Sequence, residues 1–262
     1  FKKSKGCRVW DLDNNCYIDM SHMSVGTCSL GYSNNTINRA VKRAINNGVM
    51  SSLNCSEEVL LAEKLIAMHP WADMARFARS GGEANAISVR IARAATNRDA
   101  VAICGYHGWH DWYLASNLKN KDELQEHLLP GLTPNGVPKG LIGSVFPFKY
   151  NDLDAIKRIA SENSLAAIKL EVERSTPPNN GFLEGIRKIC DEKNIVLIFD
   201  ECTSGFRQTY GGLHLKYKVN PDLAMFGKAL GNGYAITAVI GKKSVMEAAQ
   251  STFISSTFWT ER

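Results

Sequence analysis

The sequence lacks a long apolar run and any closely spaced pair of cysteines. No stretch of its 262 residues approaches the length of a membrane span, and the N-terminal segment Phe1-Lys-Lys-Ser-Lys5 lacks the apolar core of a signal peptide. The seven cysteines form no Cys-x-x-Cys motif and several lie in apolar segments, so we expect reduced thiols. These absences predict a soluble, cytoplasmic protein that does not bind membranes.

The sequence also lacks a strong charge of either sign. Its 31 basic and 26 acidic residues give a net charge of +5 and are spread along the chain without a long basic run, which argues against a nucleic-acid partner. The hydrophobic content of 44% is enough for a sizeable core. The length fits one large α/β domain, or one and a half smaller ones.

No P-loop is present. Gly227-Lys228 continues with alanine and Gly241-Lys242 continues with lysine, whereas a P-loop requires serine or threonine after the lysine. An ATPase, which the apolar run ending at Asp200-Glu201 would otherwise suggest, is therefore disfavoured.

Helical and strand patterns alternate along most of the chain. A hairpin is predicted from Arg8 to Ile18, with its turn at 13–15, followed by amphipathic helices at 35–47 and 56–68, the second capped by Ser56. Strands at 75–78, 100–104, 143–146, 166–172 and 195–200 then alternate with helices at 83–96, 152–163 (capped by Asn151) and 182–193. This alternation predicts an α/β fold with right-handed βαβ units and a mostly parallel sheet. The polar segment 116–140 is predicted to include a mobile loop or lid.

Two residues follow apolar runs in positions suited to cofactor chemistry. The run at 195–199 stops at Asp200, and the run at 223–226 is followed by Gly227-Lys228. Buried parallel strands present such residues at their carboxyl ends, where α/β sheets bind ligands. A lysine amine can form an imine with the aldehyde of pyridoxal phosphate, while a buried carboxylate keeps the pyridine nitrogen protonated. Alternatively, Asp200 is a helix N-cap or a Walker-B-type acid, and Lys228 is a solvated lysine.

Two glycine-containing motifs fit the same chemistry. Ser80-Gly81-Gly82-Glu83 follows a short strand and opens a helix, so that backbone N–H groups and the helix dipole can hold a phosphate; a simple turn is the alternative. In the second motif, Gly105 to Asp111, Tyr106 can stack on a heteroaromatic ring. The spacing of His107 and His110 does not favour a metal site, so no metal is expected.

The combined motifs resemble those of one enzyme family. Their order along the chain is similar to that in class III (subgroup II) pyridoxal phosphate aminotransferases, with the greatest likeness to glutamate-1-semialdehyde aminotransferase-like proteins. The motifs that carry the likeness are Ser80-Gly-Gly-Glu-Ala-Asn85, Arg90-Ile-Ala-Arg-Ala94, Gly105-Tyr-His-Gly-Trp-His-Asp111, Asp200-Glu-Cys-Thr-Ser-Gly-Phe-Arg207, Pro221-Asp-Leu223, Gly227-Lys228 and Ser256-Thr257-Phe258.

The resemblance implies roles for individual residues. Lys228 matches the Schiff-base lysine that also shuttles the substrate Cα proton, and Asp200 matches the partner of the pyridine nitrogen. The implied cofactor-binding set is Ser80, Gly81, Gly82, Tyr106, His107, Asp200, Cys202, Lys228 and Thr257, where Thr257 reaches the cofactor of a neighbouring subunit. Cys202 stands where the family usually has valine or another apolar residue, and Gly82 where threonine is common. Ser24, Val25 and Gly26 match a segment that often lines the substrate pocket, or form a turn entering the sheet.

The resemblance also implies an architecture and an activity. It implies PLP fold type I, a mostly parallel seven-stranded sheet sandwiched by helices, with residues 1–45 belonging to a small domain and 46–262 forming a large domain. The chain starts without methionine and is shorter than family members, so the C-terminal small-domain part is expected to be absent. The resemblance implies a homodimer with shared active sites. It also implies ping-pong transfer of an amino group from an amino-acid donor to a carbonyl acceptor. A 2,1-aminomutase and a non-catalytic binding protein of the same fold are the alternatives.

Overall fold

The computed structural model describes residues 1–120, 124, 131–173 and 175–262. The N-terminal part forms a three-stranded antiparallel sheet from β1 (Lys3–Lys5), β2 (Arg8–Trp10) and β3 (Cys16–Ile18). In the β2–β3 hairpin Arg8 lies opposite Ile18, and the turn falls at the predicted residues. The predicted division between residues 1–45 and 46–262 stays a prediction.

A seven-stranded, mostly parallel sheet forms the centre of the fold, which confirms the predicted architecture. Its strands are β4 (Met74–Ala78), β5 (Ala100–Cys104), β6 (Val145–Pro147), β7 (Leu165–Glu171), β8 (Val196–Asp200), β9 (Leu223–Phe226) and β10 (Thr237–Gly241). They lie in the order β4-β10-β9-β8-β7-β5-β6. The five strands from β9 to β6 pair in parallel, whereas β10 is antiparallel to both of its neighbours.

Helices lie between the strands in the chain. They are α1 (Met23–Gly26), α2 (Asn35–Asn46), α3 (Ser56–Met68), α4 (Gly81–Thr96), α5 (Asp111–Leu114), α6 (Leu153–Glu162), α7 (Phe182–Lys193), α8 (His214–Tyr217) and α9 (Lys243–Met246). Short 3-10 turns occur at Ala115–Leu118, Lys139–Leu141, Lys228–Leu230 and Glu247–Gln250.

Both faces of the sheet are covered, because successive residues of a strand point to opposite sides. On one face, Ile198 of β8 belongs to the same buried cluster as Ile91 of α4. On the other face, Leu197 and Phe199 belong to a cluster with Ile186 of α7. The unbroken apolar sequence of β8 is therefore explained by burial on both sides.

The cap of α6 differs from the prediction. Asp152, not Asn151, is the N-cap, and its carboxylate accepts a hydrogen bond from the N–H of Ala155 at 2.8 Å. Asn151 has a left-handed backbone (φ 68°), and its side-chain oxygen instead accepts from the N–H of Asn179 at 2.8 Å. The neighbouring asparagine therefore fixes the preceding turn.

The predicted Ser56 cap of α3 is also wrong. Cys55 occupies the N-cap position without a side-chain hydrogen bond to the helix, and Ser56 is the first helical residue. The strand predicted at 143–146 begins at Val145, since Gly143 has a φ of +81° that a strand does not accommodate. The predicted lid within 116–140 falls partly on residues 121–123 and 125–130, which lie outside the described residues.

Candidate functional site

A cavity of about 430 Å³ lies where the carboxyl ends of the central strands meet the N-terminus of α4. The chain leaves β8 through Asp200 and leaves β9 through Gly227, which places Lys228 at the same edge. The cavity wall includes six of the residues singled out from the sequence: Gly81, Gly82, Tyr106, Asp200, Cys202 and Lys228.

Asp200 is held by two hydrogen bonds at the end of β8. Its Oδ2 accepts from Nδ1 of His107 at 2.7 Å, and its Oδ1 accepts from the N–H of Cys202 at 3.1 Å. Burial acts to raise the pKa of Asp200, but the hydrogen bond from His107 and the charge of Lys169 outweigh it, so the pKa lies below the usual value. Asp200 is therefore a buried carboxylate.

His107 fixes the position of Asp200 from behind. The ring is fully buried and stacks on Trp112 with a centroid distance of 6.5 Å. Because a carboxylate can only accept, Nδ1 carries the proton in this pair. Nε2 is buried and has no hydrogen-bond partner among the described residues.

Lys228 follows β9 with a left-handed backbone, φ 44°. Its Nζ donates to Oγ1 of Thr203 at 3.0 Å, so the amine is directed into the cavity that both residues line. Cys202 packs behind it, since a Cβ on Gly227 would lie 2.8 Å from the Cys202 sulfur. Burial raises the pKa of Cys202 to about 12, which leaves an uncharged thiol beside the amine.

The predicted anion-binding turn has the expected geometry. Ser80 is the N-cap of α4 and its hydroxyl accepts from the N–H of Glu83 at 3.3 Å. The Glu83 carboxylate accepts in return from the N–H of Arg79 at 2.8 Å. This reciprocal cap leaves Gly81 and Gly82 as the first helical residues, facing the cavity.

Tyr106 is positioned by a buried acid on β7. Its N–H donates to Oε2 of Glu171 at 3.0 Å, and its ring lies edge-on to Tyr113 at 6.1 Å. The residue before it must be glycine, because Gly105 has a φ of +112° and a Cβ there would lie 2.6 Å from the same carboxylate oxygen.

Ser24, Val25 and Gly26 approach the site through Arg207. All three have positive φ values, and the guanidinium of Arg207 donates to the carbonyls of Gly26 and Thr203. Thr203 is the residue that contacts Lys228, and the next residue of the segment, Thr27, lines the cavity.

Thr257 lies away from this cavity. It is exposed, beside Ser256 and Phe258, which line a second cavity together with α2 and α3. Among the described residues, no group of three or more His, Cys, Asp or Glu side chains is arranged to hold a metal ion. No helix in the described ranges has the length and hydropathy to cross a membrane.

Two residues near the site were missed from the sequence. Thr203 lies inside the motif at 200–207 but received no role. Lys169 is fully buried on β7, where its Nζ donates to Oγ of Ser88 at 3.1 Å. Burial lowers its pKa to about 8. A lysine inside the apolar run Leu165–Leu170 is a signal that could have identified it.

Comparison with protein-family models gives a match over residues 1–261, to the model described as aminotransferase class-III. The chain belongs to the class-III aminotransferase family. This assignment agrees with the resemblance inferred from the motifs.

Relatives of this class-III aminotransferase chain include enzymes of two kinds. It is 40% identical to a glutamate-1-semialdehyde 2,1-aminomutase of Desulfovibrio desulfuricans, covering 94% of this chain and 58% of the relative. It is 36% identical to a 3-aminobutyryl-CoA aminotransferase of Cloacimonas acidaminovorans, covering 99% of this chain and 61% of the relative. The chain thus spans about three fifths of the length of these curated relatives.

Solved structures of this family share the fold. The FumI protein of Sphingopyxis sp. MTA144, solved with PLP, superposes with a TM-score of 0.85 at 26% identity, covering all of this chain and 61% of that one. An omega-transaminase from Sphaerobacter thermophilus gives a TM-score of 0.81 at 30% identity, covering 93% of this chain and 57% of that one. The class-III aminotransferase chain therefore has the fold type I architecture.

Proposed function

We propose that this chain forms the cofactor-binding part of a pyridoxal phosphate-dependent aminotransferase. The observation that carries the proposal is the placement of the Lys228 amine and the buried Asp200 carboxylate in the wall of one cavity. A nearby helix N-terminus, at Gly81 and Gly82, supplies a site for the phosphate.

The residues present fit this cofactor. The wall of the 430 Å³ cavity contains the helix N-terminus at Gly81 and Gly82, the acid Asp200, and the side chains of Tyr106 and Cys202. Nε2 of His107, the residue that holds Asp200, has no hydrogen-bond partner among the described residues. Buried polar atoms without a partner are rare in cores, so this atom supports a ligand site beside Asp200.

Each residue has a proposed task. When bound, pyridoxal phosphate supplies an aldehyde that condenses with amines. It also supplies a ring that accepts the electron pair left on the substrate Cα when its proton is removed. Lys228 would hold the aldehyde end of the cofactor and would take and return the substrate Cα proton, while Asp200 would keep a proton on the ring nitrogen. Tyr106 and Cys202 would orient the ring, and Ser80 and the two glycines would orient the phosphate.

The substrates and the subunit arrangement belong to the same proposal. An amino-acid donor and a carbonyl acceptor would enter beside Thr27, next to the segment Ser24–Gly26. A homodimer is supported by exposed apolar side chains around α2 and α3, namely Ile45, Val49, Met50, Leu53, Val59 and Leu60. Thr257 would then reach the partner's cofactor. The seven free thiols support a cytoplasmic location.

The first test uses the complete protein with added pyridoxal phosphate. We expect a near-visible absorption band and, after borohydride reduction, a peptide adduct on Lys228. The variant Lys228→Ala should lose both, whereas the exposed Lys188→Ala should keep them. An adduct spread over surface lysines would contradict the proposal. Separate donors and acceptors then distinguish amine transfer from an aminomutase, which rearranges one substrate.

A further inference from the structure

The residue in contact with Gly82 is a histidine that the proposed mechanism does not use. A Cβ atom on Gly82 would lie 2.5 Å from Cε1 and 2.7 Å from Nδ1 of His110. Both distances are well inside van der Waals contact. The backbone of Gly82 is ordinary helix, so glycine is required here for space and not for conformation. The imidazole thus fills the volume that a side chain at position 82 would occupy.

His110 lies directly behind the wall of the cavity. Gly82 and Trp109 both line the cavity, and the Trp109 ring stacks on His110 with a centroid distance of 4.7 Å and an angle of 24°. Gly108 adds to the close approach, since a Cβ there would lie 3.2 Å from Cα of Gly82. The loop after β5 therefore presses the imidazole against the first turn of α4.

This imidazole has an unmet hydrogen-bonding requirement. Nδ1 of His110 is buried, and no residue in the described ranges is a hydrogen-bond partner for it. A buried nitrogen that loses water without gaining a partner destabilises the fold, so such atoms are rare unless a ligand completes them.

Backbone N–H groups next to this imidazole also lack a hydrogen-bond acceptor among the described residues. Ser80 accepts from the N–H groups of Glu83 and Ala84. The N–H groups of Gly81 and Gly82 contact no acceptor among the described residues, as expected for the first turn of a helix. Two backbone donors and an unpartnered imidazole nitrogen therefore lie around Gly82 beside the cavity, where a group with several acceptor oxygens would supply acceptors.

We propose that His110, whose ring occupies the volume that glycine leaves at position 82, is a ligand of the cofactor phosphate and donates its ring N–H to a phosphate oxygen at the N-terminus of α4. This rests on the proposed function. The outer torsion of a histidine side chain is broad, so the ring can turn its nitrogen from Gly82 towards the cavity without leaving its place under Trp109. His110 thus donates the hydrogen bond to the phosphate that a hydroxyl side chain at position 82 would otherwise donate.

The test compares two probes that differ only in the phosphate. Dissociation constants for pyridoxal phosphate and for pyridoxal are measured on the complete apoprotein and on His110→Phe, which keeps the ring volume without a nitrogen. We expect about 10- to 100-fold weaker binding of pyridoxal phosphate and an unchanged constant for pyridoxal. The ³¹P resonance of the bound cofactor should also shift. Equal effects on both probes, or no effect on either, would overturn the proposal.

Two further variants guard against a misfolded protein. His110→Asn places an amide nitrogen near the position of Nδ1 and should retain most of the affinity. The double variant Gly82→Thr/His110→Ala moves the polar group back to the helix and should recover affinity relative to His110→Ala, whereas Gly82→Thr alone collides with the ring. Failure of the double variant to recover would contradict the proposal.

The same experiment separates this inference from the proposed function. A wild-type protein that forms no adduct on Lys228 contradicts the function itself. Adduct formation together with an unchanged His110→Phe variant contradicts only the role of His110.

Discussion

Two polar clusters lie at the end of β8, one around Asp200 and one around Glu201, and they differ in whether their hydrogen bonds are complete. The cavity cluster consists of Asn85, His107, His110 and Asp200. Within the part of the chain that the structure describes, Oδ1 of Asn85, Nε2 of His107 and Nδ1 of His110 are buried atoms without a partner. The closed network consists of His69, Trp71, Glu201, Ser204 and His214, and in it every side-chain polar atom is paired.

The closed network fixes its own protonation. Nε1 of Trp71 donates to Nε2 of His214 at 2.9 Å, so the ring proton of His214 is on Nδ1. Nδ1 donates it in a hydrogen bond of 2.8 Å to Oε1 of Glu201. The N–H of Gly212 donates to Nε2 of His69 at 2.9 Å, and burial lowers the pKa of His69. The consecutive residues Asp200 and Glu201 thus belong to clusters that differ in their hydrogen bonding. The complete cluster stabilises the fold, and the incomplete one is available to a ligand.

We expect the largest effect from a substitution in the cavity cluster, and we expect it to lower activity rather than stability. Asp200→Asn keeps the shape of the side chain but removes the negative charge to which the proposed function assigns the retention of a proton on the cofactor ring nitrogen. We expect amine transfer to fall by about 10³-fold, equivalent to about 4 kcal/mol, with the free energy of unfolding changed by less than about 1 kcal/mol. Donor–acceptor assays and urea denaturation of the complete protein measure the two quantities. An Asn variant that mainly unfolds would show that Asp200 is structural.

A substitution in the closed network should instead lower the stability of the fold. Glu201→Ala leaves the hydroxyl of Ser204 and two N–H groups of His214 without an acceptor in a dry interior. We expect the free energy of unfolding of the apoprotein to fall by about 3–4 kcal/mol. Urea denaturation checks this, with Glu201→Gln as the matched control that retains one acceptor oxygen. If the Ala variant were as stable as wild type, the distinction between the two clusters would be lost.

The sequence was sufficient to place the parallel sheet and the strand-end residues. Asp200 and Lys228 each follow an apolar run, and parallel strands bring their carboxyl ends to a common edge. Topology alone therefore puts the two residues near one another, although nothing in the sequence gives the distance between them.

The closed network could not be predicted in this way. His69 and His214 are far apart in sequence, and their rings stack at 5.5 Å only because the fold brings the C-terminus of α3 close to the start of α8. Contacts of this kind depend on side-chain packing rather than on periodicity. The misassigned cap at Asn151 has a related cause, since the contact with Asn179 that holds it comes from a distant loop. His110 was noted only as a poor metal ligand, because its fit to Gly82 is visible in three dimensions alone.

Lys169 belongs to neither cluster and gives the smallest of the predicted effects. It lies beneath Asp200 on the same face of the sheet. Within the described part of the chain, its Nζ donates to Oγ of Ser88 and, at 3.7 Å, to the weakly accepting sulfur of Met225. Burial lowers its pKa from 10.5 to about 8. The folded chain therefore holds this proton less tightly than the unfolded chain does, and the burial of the charge costs stability at neutral pH.

The sign of the pH dependence follows from that difference. Below about pH 8 the full cost is present, and it declines as the pH rises towards 10.5, since the folded chain has then already released the proton. Lys169→Met should thus stabilise the apoprotein by about 1–3 kcal/mol at pH 7 and by much less near pH 10, as measured by urea denaturation. The exposed Lys188→Met should show no such trend. A Met variant that is less stable at pH 7 would mean that Lys169 is part of a satisfied network. A more stable variant in which the pKa of Asp200 has risen would mean that this cation is kept, at a cost in stability, for its effect on the carboxylate.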